Sequence, residues 1–336
     1  MKICKITAFL VVITLLLTFI GCGKDNKTDK TNEPYIIMVN ALNGLPVYEQ
    51  QTNAAQKAAT DYGIKFEIMG PSVEDKLPDT EAIVKAYKAE MEKAIAKKPD
   101  AIICEPFEHG IYDSVKAAHD AGIPVFCTSN GTENDGDYIS YIGTDNAEYG
   151  KLAADLLAKK MGNKACVLAV MSDKNVKNQS EQLEAFKKQC AEKYPEMVVA
   201  DTVYDIANAD TATDLFKKKF AENKKIDAVL MLESVGGPSA ATVAKNMKRD
   251  ICILDVDASD KTIENIISGD EWATLAQNFF KRGYESVRMA YEYIQNNGKV
   301  DYGKFVDSSV VPITKENADG YEQALWDAVR TKGTKW

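Results

Sequence analysis

Histidine is scarce in this chain: two copies, His109 and His119, in 336 residues. They stand too far apart to pair on one helix turn, and there is no HExxH. Also missing are a GxSxG elbow, a GxxxxGK[ST] phosphate loop and a GxGxxG following a strand. The usual signatures of metallopeptidase, serine hydrolase, nucleotide-hydrolysing and dinucleotide-dependent chemistry are therefore absent. The run from Asp255 to Ser259 opens like a calcium loop, but lacks Gly at the sixth position and Glu at the twelfth. No catalytic constellation, metal or cofactor is expected, and the chain does not read as an enzyme.

Basic tracts are equally lacking. Lys217 to Lys219 lie on a predicted helix face, and no arginine occurs from Cys166 to Met247. The formal charge is -9; without Lys2 and Lys5 at the extreme N-terminus it becomes about -11. Such a surface argues against nucleic acid and anionic lipid as principal partners. Of seven cysteines, Cys104, Cys127, Cys166, Cys190 and Cys252 lie in the body. They have no zinc-site spacing, and most sit inside apolar strand-like runs, so they read as buried thiols.

What is present begins with a leader. Lys2 and Lys5 precede an apolar run from Ala8 to Ile20, then Gly21-Cys22. These are the proportions of a secretory signal. A signal peptide over 1–21 is expected, with Cys22 as a lipoprotein-type acylation site. Residues 22–34 are polar and aperiodic, which predicts a flexible tether to the membrane.

The body alternates short apolar runs with amphipathic stretches. Between Pro99 and Asn130 lies one complete strand, helix, strand unit. Two parallel strands joined by a right-handed crossover end at the same sheet edge. Residues 105–109 and 128–130 therefore meet there, where open α/β sheets bind ligands. Helices are predicted over 47–62, 80–97, 147–161, 177–194, 210–223, 238–247, 260–268, 280–296 and 314–330, the last starting at a capping-type threonine. The alternation restarts near Thr144, which predicts two doubly wound parallel-sheet domains in tandem.

The segments AIAKKPDAIICEP, AAHDAGIPVF, IGTDNAEYGKLAA and LDVDASDKTIENIISGDEWATLAQ, with Asn43 and Tyr48 ahead of AAQKAA, occur in this order along the body. In this the chain resembles the type I periplasmic sugar-binding proteins of ABC transporters. The resemblance implies a periplasmic-binding-protein type I fold with a three-crossover hinge near Thr144, Gln277 and Asp307. One domain would take 35–143 plus 276–305, the other 146–274 plus 308–336. It also implies an ABC permease as partner and a monomeric, membrane-tethered receptor outside the cytoplasm.

A sugar exposes many donors and acceptors, and each one buried without a partner costs roughly 1–3 kcal/mol. Convergent carboxylates and amides at strand tips are thus expected to hold it. These are Asn43 and Tyr48 at the first tip, Glu105 and Phe107 at the next, and Ser129 and Asn130 at the third. Asn178, Ser180, Asn208, Glu233, Asp257 and Gln277 follow in the second domain. The family usually carries an Asp-Arg pair where Ser129-Asn130 stands, and an arginine and a stacking aromatic in the second domain. Their loss points to an unusual solute: a sugar derivative, polyol or nucleoside. A ligand sensor for chemotaxis or signalling is the alternative to transport.

Overall fold

The computed structural model describes residues 33–330. The expected signal peptide and Cys22 lie outside the described residues. Apolar runs too short to be anything but buried strands alternate with helices. In order these are β1 (Tyr35–Val39), α1 (Pro46–Tyr62), β2 (Lys65–Met69), α2 (Thr80–Ala96), β3 (Ala101–Cys104), α3 (Tyr112–Asp120), β4 (Val125–Thr128) and β5 (Ser140–Gly143). The chain then passes to α4 (Asn146–Met161), β6 (Lys164–Met171), α5 (Lys177–Lys193), β7 (Glu196–Tyr204), α6 (Ala209–Glu222), β8 (Ala228–Met231), α7 (Gly237–Asn246), β9 (Cys252–Val256), α8 (Asp260–Ser268) and β10 (Ala273–Gln277). It closes with α9 (Phe279–Gln295), β11 (Phe305–Asp307), β12 (Val310–Thr314) and α10 (Tyr321–Arg330).

Two six-stranded sheets result, ordered β11-β5-β4-β3-β1-β2 and β12-β10-β9-β8-β6-β7. The strand order is the same in both, so the two halves repeat one topology. All pairings are parallel except β10 with β12. Successive residues of one strand face opposite sides. In the first sheet Ile36, Met38 and Ile103 pack with α1 and α9, whereas Ile37, Val39 and Ile102 pack with α2 and α3. That is double winding read directly from side chains.

The chain crosses between sheets three times: after β5, after β10 and after β11. The crossings are bonded to one another. Ser308 N donates to Gly143 O (2.6 Å), Asn278 N to Ser309 O (3.2 Å) and Asp145 N to the Asp307 carboxylate (3.3 Å). Asn278, wholly buried, caps α9 through Lys281 N and donates to Leu325 O of α10.

Three expected boundaries are corrected. Ala276 and Gln277 pair with Val311 and Val310 in the second sheet, not the first, and the return segment of the first sheet runs to Asp307 rather than 305. The final helix starts at Tyr321, not Thr314. Thr314 ends β12, its N–H donating to the Asn317 side chain, which in turn donates to Pro312 O. This local side-chain closure competes with helix formation. Helix α10 also packs Leu325 and Trp326 against Phe280 of α9, so it touches elements of both lobes.

Candidate functional site

The carboxyl edges of both sheets face one cleft holding two cavities, of about 260 Å³ and about 190 Å³. Asn178 and Gln277 line both. Equivalent strands place equivalent residues there. Ser129 directly follows β4 and Asp257 directly follows its counterpart β9; both take left-handed backbone, φ 67° and 60°. Such conformations in non-glycine residues persist only where the surroundings impose them. Glu105 follows β3, and Glu233 lies just beyond its counterpart β8.

On the first wall, Ser129 Oγ donates to Glu105 Oε1 (2.5 Å) and receives Nη1 of Arg282 (2.9 Å). Glu105 is 5% exposed and Arg282 4%. Burial pushes the Glu105 carboxyl upward, opposed by Ser129, Arg282 and Tyr48. Burial lowers the guanidinium, opposed by Glu105, Asp257 and Tyr48. Arg282 also stacks over Phe279, 4.4 Å from the ring centroid. The Tyr48 hydroxyl is pushed well up by burial and then by Glu105, and so stays a donor.

At the hinge, Thr144 Oγ1 donates to Gln277 Oε1 (2.7 Å) and Gln277 Nε2 to Asp257 Oδ1 (3.1 Å). One amide thus links the first crossing to the second wall. Burial raises the Asp257 carboxyl, opposed by Gln277 and Arg282. Glu233, 5% exposed, accepts from the backbone of Val235 (2.9 Å) and Gly236 (2.6 Å) just ahead of α7. Its carboxyl is pushed to about 8 by burial and by the neighbouring Asp205.

Of the residues expected from sequence, Tyr48, Glu105, Ser129, Asn130, Asn178, Glu233, Asp257 and Gln277 line the cleft. Four do not, because their side chains are committed elsewhere. Asn43 receives Asn40 Nδ2 and donates to the carbonyls of Met69 and Gly70, tying β1 to β2. Phe107 packs edge-on against Tyr87, 5.6 Å away in the first-lobe core. Ser180 donates to Lys174 O, and Asn208 caps α6 through Thr211 N.

Arg282 is the residue that sequence reasoning missed. It supplies the cation that the position of Asn130 lacks, from a helix far along the chain. A signal was available: Lys281-Arg282 lies in the first turn of α9, where the helix dipole disfavours positive charge. A cation in that position needs a partner from elsewhere. Phe279, Asn146 and the buried Asp205 were missed as well.

A family model described as a periplasmic binding protein domain matches residues 36–299. The ribose import binding protein of Haemophilus influenzae is 22% identical over 233 residues, 69% of this chain and 76% of that protein. Among solved structures, the arabinose-binding protein AraP of Geobacillus stearothermophilus is similar with TM-score 0.76 at 21% identity, over 85% of this chain and 98% of its own. The periplasmic ribose ABC transporter protein of Conexibacter woesei is similar with TM-score 0.78 at 20% identity, over 88% and 97%.

Proposed function

The chain belongs to the periplasmic binding protein domain family, and on that premise we propose that it is the solute-binding component of an ABC importer and captures a monosaccharide or sugar derivative between its lobes. The observation that carries this reading is the convergence of Arg282, Ser129 and Glu105 from one lobe and Asp257 and Gln277 from the other on one cleft. Carboxylate acceptors, a forked donor and reversible amides are the groups that neutral hydroxyls need. Each cavity is smaller than the roughly 300–1,000 Å³ of pockets for drug-sized ligands, which suits a single sugar ring.

Binding uses contacts from both lobes, so the ligand favours the arrangement in which both walls reach it. The ring of bonded crossings is the pivot. The permease is the partner of the loaded form, and Cys22 carries the lipid that holds the receptor at the membrane. The names of the relatives and structural neighbours, binding proteins for ribose, arabinose and D-apiose and for glucose-galactose and tagatose, support a monosaccharide of pentose or hexose size.

A thermal-shift screen over pentoses, hexoses, polyols and nucleosides tests this. A ligand that binds only the folded form at 100 times its Kd adds about 2.7 kcal/mol. A monosaccharide is expected to raise the unfolding midpoint, and Asp257→Ala to abolish the rise. A response to nucleosides alone, or turnover of the bound sugar, overturns the proposal.

A further inference from the structure

The charge balance of the cleft is unequal. Its lining holds three carboxylates, Glu105, Glu233 and Asp257, and one cation, Arg282. Arg282 bonds to Ser129 beside Glu105 on the first-lobe wall. The second wall, with Glu233 and Asp257, carries no cation of its own among its lining residues.

Behind Glu233 is a further carboxylate. Asp205 is wholly buried; its Oδ1 receives Ala207 N (3.0 Å), while Oδ2 has no hydrogen-bond donor. A Cβ built on Gly236 would fall 2.6 Å from Asp205 Oδ2 and 2.8 Å from Glu233 Oε1, so the two oxygens converge on that glycine. Two acceptors facing each other out of water cannot both be ionised without a cation or proton between them. No ion pair among the described residues involves either one.

The other groups around the pair are acidic or neutral. Asp257 faces the same cavity from the end of β9. Asp255, further back on β9, presses on Gly237, where an added Cβ would lie 2.1 Å from its Oδ2, and Glu271 adjoins Asp255. The buried Tyr149 hydroxyl of α4, without a hydrogen-bond partner, lies in the field of Asp257 and Asp255. The nearest lining cation is Arg282, on the first-lobe side.

We propose that the cleft selects a sugar bearing an amino group, whose ammonium pairs with Glu233 at the cavity face, ahead of the buried Asp205. This rests on the reading of the cleft as a sugar site. The raised Glu233 carboxyl is the state without such a ligand; the ammonium lets Glu233 ionise, and its proton leaves to solvent on binding. A uronate or sugar phosphate meets three carboxylates and is excluded.

The test is titration calorimetry on the whole protein at pH 7. The probes are glucosamine and galactosamine, their parent sugars, their N-acetyl derivatives and glucuronate. The amines are expected to bind at least about tenfold more tightly than the parents, as close charge pairs at buried interfaces do. N-acetylation removes the gain. Measured in buffers of different ionisation enthalpy, amine binding releases a proton. Glu233→Gln equalises amine and parent. Asp205→Asn, which leaves the Glu233 carboxyl and its helix contact in place, keeps the amine preference and lessens proton release, since burial still raises Glu233. Parent sugars binding as tightly as the amines, or amine binding without proton release in the unaltered protein, overturns this inference and leaves the sugar-binding reading intact. If the hexosamines do not bind while another monosaccharide answers the thermal-shift screen, this inference falls alone; if no sugar binds in either experiment, both fall.

Discussion

Arg282 stands in for a charge that its neighbours in space lack. Ser129-Asn130 is uncharged, yet Ser129 is bonded to a buried guanidinium. Removing one member of a buried, hydrogen-bonded charge set costs about 2–5 kcal/mol, largely because the others lose their counter-charge. Arg282→Ala is therefore expected to weaken binding of the preferred sugar by at least about thirtyfold in titration calorimetry. Arg282→Lys should recover little, because a single ammonium cannot fork between Ser129 and the Thr144-Gln277 pair. Unchanged affinity in Arg282→Ala would place the guanidinium outside recognition. Glu105, Asp257 and Gln277 were legible as strand-end polar residues. Arg282 was not, because it lies after the second crossing, where no strand-tip rule points.

Among the elements, α9 is the one that most of the site depends on. It starts at the hinge, delivers Arg282 to the cleft and lies against α1. Gly283 makes that contact close: a Cβ there would come 2.0 Å from Gln51 O. Gly283→Ala forces the helices apart, and overpacking of this kind costs about 1–3 kcal/mol. Urea unfolding should show that loss, with weaker sugar binding because Arg282 moves with the helix. Stability equal to the unaltered protein would mean that α1 yields freely. The periodicity of α9 made it readable from sequence; its contact with α1 did not show, since glycine inside a helix is silent about what approaches it. The start of α10 was misread for a related reason. A threonine that caps and one that ends a strand look alike until Asn317 is seen closing on Thr314 and Pro312.

For the whole molecule, two buried carboxyls tie stability to pH. Burial is the first cause for both: Glu233 is raised to about 8, then by Asp205, and Glu271 to about 7 by burial. Both pKa values stand above those of the unfolded chain, so folding favours the protonated forms. Their contribution is fully present below roughly pH 4.3, the unfolded glutamate value, and is lost as pH rises through 7 to 8. The ligand-free protein should unfold at lower temperature at pH 8.5 than at pH 6 by differential scanning calorimetry, with a smaller drop in Glu271→Gln. A midpoint that rises over this range would contradict the assignment. Sequence alone determined the alternation of strands and helices, the two-domain plan and most strand-tip polar residues, because burial period and turn chemistry are local properties. It did not determine that the two sheets share one strand order, that α10 bridges the lobes, or that Arg282 reaches Ser129 and Asp205 backs Glu233. Those juxtapositions join residues far apart in the chain, and only the three crossings of the hinge bring them within a few ångströms.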